Sequence, residues 1–119
     1  MSRDTIQSLT KLVQDFCEER DWDRFHNPKD LAIGVSTEAN ELLDIFRFKS
    51  EADMQEIMGD SGKREHVEEE LADVFFFLLR FAQMNGMDLG EALKDKLKKN
   101  DRKYPVEKAR GSNRKFCEE

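Results

Sequence analysis

Residues 68–79 read EEELADVFFFLL, and residues 36–46 read STEANELLDIF. Each stretch sets two acids three positions apart: Glu70 and Asp73 in one, Glu38 and Glu41 in the other. On an α-helix that spacing stacks both carboxylates on one face, about one turn apart. Glu70 and Asp73 border the longest apolar run of the chain, residues 74–79, and Glu38 lies one turn beyond Val35 on the apolar stripe of its own segment. No lysine or arginine stands three or four residues from any of the four acids. If the two helices pack side by side, four negative charges converge, and they cannot cheaply share a partly buried site. A hard divalent cation that prefers oxygen ligands, Mg²⁺ or Mn²⁺, relieves the repulsion. Mg²⁺ held by carboxylates usually takes phosphates among its other ligands, so the pattern points to phosphate chemistry. Ordinary solvated helix surface is the competing reading, because a chain with 26 acids forms such pairs by chance.

Working outward, the pattern is helical throughout. Ile6, Leu9, Leu12, Val13 and Phe16 predict a first helix over residues 4–21. Residues 20–29 form a loop dense in aromatics and charge. Asn27 before Pro28 marks the start of a second helix reaching about residue 48, with Leu31, Val35, Leu42, Ile45 and Phe46 as its apolar stripe. Ser50 caps a short third segment over 51–58, and the cluster at 59–62 reads as a turn. A fourth helix covers 63–85 and stops at Gly86. Asp88 caps a fifth, fraying near residue 101, and Pro105 and Gly111 mark an irregular basic tail over about 105–119. On the fourth helix Val67, Leu71, Val74, Phe75, Leu78 and Ala82 share one face, expected to be the core face, with Phe76 and Leu79 at the back. Apolar surface on two faces implies a second partner: in a chain of 119 residues another subunit is the natural one, with the third or fifth helix as the alternative cover. Phe48 falls two turns beyond Glu41, roughly 10 Å from the acids if the helix continues. A metal-bound triphosphate whose base stacks on an aromatic spans about that distance, although spacing alone equally suits a core residue at a helix end.

Composition narrows the function classes. The net charge of −6 is uneven: residues 1–93 carry −11, and residues 94–115 carry +7. The acidic body argues against general nucleic-acid binding. Cys17 and Cys117 are too few for a disulfide framework. The longest apolar run, six residues, cannot span a bilayer, and residues 1–15 lack the apolar core of a signal peptide. A single cytoplasmic domain over 1–119, with no membrane partner, is the expectation.

The acid pattern E-x-x-E…E-x-x-D, together with RDWDRFHNP at 20–28, FRF at 46–48 and NDRKYPVEKARGSNRKF at 100–116, resembles the all-α MazG-like nucleoside triphosphate pyrophosphohydrolases, and within them the dCTP pyrophosphatase branch. The resemblance spans nearly the whole chain. It implies a bundle of about five helices assembled as a homotetramer or dimer of dimers. It implies Mg²⁺ held by Glu38, Glu41, Glu70 and Asp73, and hydrolysis of a (deoxy)nucleoside triphosphate to monophosphate and pyrophosphate. By position, Trp22 and Phe48 would flank the base with His26 nearby, and Lys96, Asn100, Lys103 and Tyr104 would hold phosphates or sugar. Two departures stand out. Thr37 replaces the glutamate that many MazG-like members place before the first metal ligand, as in the dCTP-type branch. Phe48 stands where animal dCTP-type members carry tryptophan. A different base preference such as dUTP, or a non-catalytic helical adaptor, are the alternative expectations.

Overall fold

The computed structural model describes residues 3–113. Among them are six α-helices, one short 3₁₀ turn and no strand. The chain divides into two compact units, Met1–Gly86 and Met87–Glu119. The first holds α1 (Ile6–Glu19), the 3₁₀ turn (Asp23–Phe25), α2 (Pro28–Phe46), α3 (Glu51–Gly59) and α4 (Ser61–Met84). The second holds α5 (Leu89–Lys103) and α6 (Val106–Ala109). Arg114, Lys115, Phe116 and Cys117, at the end of the expected tail, lie outside the described residues.

Polar caps set the helix starts. Thr5 and Ser8 form a reciprocal capping box at α1, and Ser50 and Asp53 form another at α3. Asn27 accepts the Asp30 N–H at 2.8 Å, with Pro28 opening α2. Asp60 does the same for Lys63 at 2.9 Å, and Asp88 for Glu91 at 3.0 Å. Because Asp60 both ends α3 and caps α4, the turn expected at 59–62 shrinks to this residue, and Ser61 and Gly62 join the helix. Gly86, at φ +64, follows α4 in the left-handed conformation that favours glycine. The tail is less irregular than expected, since α6 forms after Pro105.

In the first unit α4 packs against α2, α1 and α3. Cys17, Leu31, Ile57, Val67, Leu79 and Ala82 are the buried apolar residues. The expected core face of α4 is only partly inside. Val67 and Ala82 are buried, whereas Leu71, Phe75 and Leu78 are exposed, and Leu79, placed at the back by its angle, is 2% exposed. Ring fit decides the matter. Phe76 meets Phe16 of α1 edge-on at 6.0 Å. Phe77 lies against Gly34 of α2, where a Cβ would fall 2.5 Å from the ring. These two aromatics turn toward the unit's own helices and leave the Leu71–Phe75–Leu78 stripe outward.

Candidate metal centre

The pairing of α2 with α4 brings two carboxylates of one helix to one of the other. Glu38, Glu41 and Glu70 each offer an oxygen within 4.8 Å of the others. Glu38 Oε2 and Glu70 Oε2 are buried and have no hydrogen-bond donor among the described residues. A buried carboxylate oxygen without a donor costs free energy, and two of them facing each other add repulsion. Burial, then the neighbouring Glu41, pushes the Glu38 carboxyl above its ordinary range, with Asp73 and Glu70 adding to the shift. Burial likewise raises Glu70, helped by Glu41, which lies close enough to either acid to share a proton. Asp73, one turn on from Glu70, is exposed and stands outside the close triad, but its charge is felt by both Glu38 and Glu70.

This donor set suits a hard divalent cation: carboxylate oxygens only, convergent, and short of positive partners. His66, one turn before Glu70, is the nearest compensating group. Its Nδ1 lies 3.9 Å from Glu70 Oε1, too far for a hydrogen bond. Sequence reading passed over His66, although its i, i+4 spacing from Glu70 was visible. It also lines a cleft of about 730 Å³ with Glu41, Asp44, Ile57, Lys49 and Lys63. Lys49 and Lys63 were likewise missed, because they converge only once α3 folds between α2 and α4. The lining mixes charges, with Glu41, Asp44 and Asp60 beside Lys49 and Lys63, and the Lys63 ammonium pairs with Glu56 at 3.0 Å.

The other expected residues fall in separate places. Trp22 and His26 form a cluster with α1: Trp22 meets Phe16 at 5.7 Å and His26 at 6.0 Å, both edge-on. Behind them Arg80 of α4 is completely buried. It donates Nε–H to His26 Nδ1 at 2.8 Å, pairs with Asp23 and also reaches Gln83. Phe48 is not on the α2 stripe, because that helix ends at Phe46. It sits at φ +62, the residue 92% exposed and the Arg47 guanidinium 4.9 Å from the ring centroid. A non-glycine residue held there marks local strain. In the second unit Lys96, Asn100 and Lys103 follow helical spacing on one face of α5. Tyr104 ends that helix, its N–H donating to the Asn100 carbonyl at 2.8 Å.

An all-α unit that gathers glutamates from two helices beside a charged cleft defines a class of helical, acid-centred proteins suited to metal and phosphate. Comparison places the chain within it. The MazG-like family model matches residues 33–118, a span containing all four acids, and the chain belongs to that family. Rat and human dCTP pyrophosphatase 1 are each 33% identical over 114 residues, covering 96% of this chain and 67% of theirs. A crystal structure of a pyrophosphatase from Archaeoglobus fulgidus is similar with a TM-score of 0.79 at 35% identity, covering 88% of this chain and 96% of that one.

Proposed function

We propose that this chain is a divalent-metal-dependent nucleotide pyrophosphohydrolase acting on a (deoxy)nucleoside triphosphate, with dCTP or a modified dCTP as the preferred substrate. The reading is carried by the two donorless buried oxygens of Glu38 and Glu70, set in a triad whose third member, Glu41, borders a cleft lined by acids and lysines. Glu38, Glu41, Glu70 and Asp73 would hold Mg²⁺, with Mn²⁺ as a substitute. When bound, the ion supplies charge neutralisation for phosphate oxygens and acidifies a water for attack.

The chain's own residues do the rest. Lys49 on the cleft wall offers a cation to the triphosphate, and Lys63 would add a second on exchanging its present partner, Glu56, for phosphate. Water attacks the α-phosphorus, pyrophosphate leaves, and the monophosphate carries the new oxygen. Trp22, His26 and Phe48 would contact the base, and Lys96, Asn100, Lys103 and Tyr104 the phosphates or sugar. Assembly as a homotetramer or dimer of dimers would cover the exposed Leu71, Phe75 and Leu78 stripe.

The test is pyrophosphate release from a panel of triphosphates, dCTP, modified dCTP and dUTP among them, with Mg²⁺ or Mn²⁺. Release from dCTP that disappears in Glu70→Gln supports the reading. No release from any member, together with a melting temperature indifferent to Mg²⁺, would leave the non-catalytic adaptor as the better account.

A further inference from the structure

Arg80 carries a full charge with no solvent exposure, in the apolar C-terminal half of α4. A guanidinium does not lose its proton in a protein, so burial obliges it to find acceptors. It finds them mostly off its own helix: the Asp23 carboxylate and the His26 ring, both in the segment between α1 and α2, while Gln83 adds one from α4. The contact with His26 has a chemical consequence. Arginine is only a donor, so His26 Nδ1 must be the acceptor and cannot carry hydrogen. The ring proton therefore sits on Nε2. Protonating the second nitrogen would set N–H against N–H and add a cation beside a cation. Burial, with the Arg80 charge next, accordingly holds the His26 pKa below its ordinary value, Asp23 opposing. Nε2 meets no hydrogen-bond partner among the described residues.

We propose that Arg80 is a positioning residue: it clamps the loop bearing Trp22 and His26 onto α4 and locks His26 as the neutral Nε2–H tautomer, so that the ring offers a donor beside Trp22. If the nucleotide reading above holds, the group recognised is an acceptor on the base, a carbonyl oxygen or an unprotonated ring nitrogen. A base that presents an amino group at that point is rejected, because two donors would face each other.

The test is the ring-nitrogen spectrum of uniformly ¹⁵N-labelled full-length protein, which has two histidines, His26 and His66. In the wild type His26 should show the Nε2–H pattern, persisting to pH below the ordinary imidazole range. Arg80→Met removes the clamp, and Arg80→Gln replaces it with a shorter neutral amide. In either variant that folds, His26 should pass to a tautomer mixture while His66 is unchanged. KM for the nucleotide should rise roughly tenfold with kcat within about twofold, the scale of one lost hydrogen bond. A wild-type His26 that is Nδ1–H or averaged overturns the assignment, as does a folded variant whose His26 signals or KM do not move. If neither variant folds, the wild-type spectrum decides by itself. Failure of the wild type to hydrolyse any triphosphate would sink the nucleotide reading but leave the tautomer result standing. Hydrolysis with an unmoved tautomer would do the reverse.

Discussion

At Glu70, α4 carries a buried carboxylate with an oxygen that meets no donor; further along the same helix, at Arg80, it carries a buried guanidinium held by Asp23, His26 and Gln83. Both charges are costly to bury. The difference lies in who compensates. Around Arg80 the chain supplies its own acceptors, so the site is complete on folding and serves to tie a loop down. Around Glu70 it supplies more acids, Glu38 and Glu41, and only a distant His66. A fold that satisfies one buried charge and leaves another among like charges has stability set aside at the second for something from outside.

The contrast breaks most clearly at Glu70. Glu70→Gln should lower pyrophosphate release by roughly a thousandfold, the scale of losing a group that supports charge in the transition state. The same change should raise the melting temperature of the metal-free protein, since it removes a repelled charge; scanning calorimetry beside the activity assay reads both signs. Arg80→Met should go the other way in stability. With Asp23 half exposed, the loss is expected near the lower end for a broken buried pair, about 3 kcal/mol in urea unfolding.

Mg²⁺ sharpens the comparison. At a hundred times its dissociation constant an ion that binds only the folded chain adds about 2.7 kcal/mol. Glu38 and Glu70 have raised folded pKa values, so their contribution to metal-free stability is best below the ordinary carboxylate range and is lost as pH rises through their folded values. The metal-free melting temperature should therefore fall from mildly acidic to neutral pH, and the gain on adding Mg²⁺ should grow over the same interval. A gain independent of pH would place the ion away from these carboxylates. The smallest effect is expected at Gly34→Ala. The new methyl meets the Phe77 ring at 2.5 Å and forces the ring or the helix to move, at about 1–2 kcal/mol. Chemical denaturation measures that loss, and Glu38 one turn away makes weaker Mg²⁺ binding its companion.

Much of this was readable in the chain. Asn27-Pro28, Ser50 and Asp88 announce three helix starts by side-chain chemistry that needs nothing but neighbours in sequence. The two acid pairs are equally local, and their lack of nearby cations was visible before any fold. What could not be read was which apolar face of α4 turns inward. Hydrophobicity ranks Leu71, Phe75 and Leu78 as core, yet the fit of Phe77 on Gly34 and of Phe76 on Phe16 outweighs it, and such fit exists only between elements. Phe48 was misplaced for a similar reason: the helix stops at Phe46, where no proline or glycine signals an end. Arg80 was the overlooked clue, a lone cation within LLRFA that had to be either snorkelling or paired. The cleft lysines carried no signal at all, because Lys49 and Lys63 are common surface residues until α3 closes them together.

Trp22 is the sole tryptophan of the chain, and its indole touches the very imidazole that Arg80 grips. Light absorbed by indole alone is thus re-emitted from this loop and nowhere else. An imidazolium quenches indole emission more strongly than a neutral ring does. Intrinsic brightness and colour become a built-in gauge of whether the strap between α1 and α2 is seated, readable in a cuvette without any attached dye.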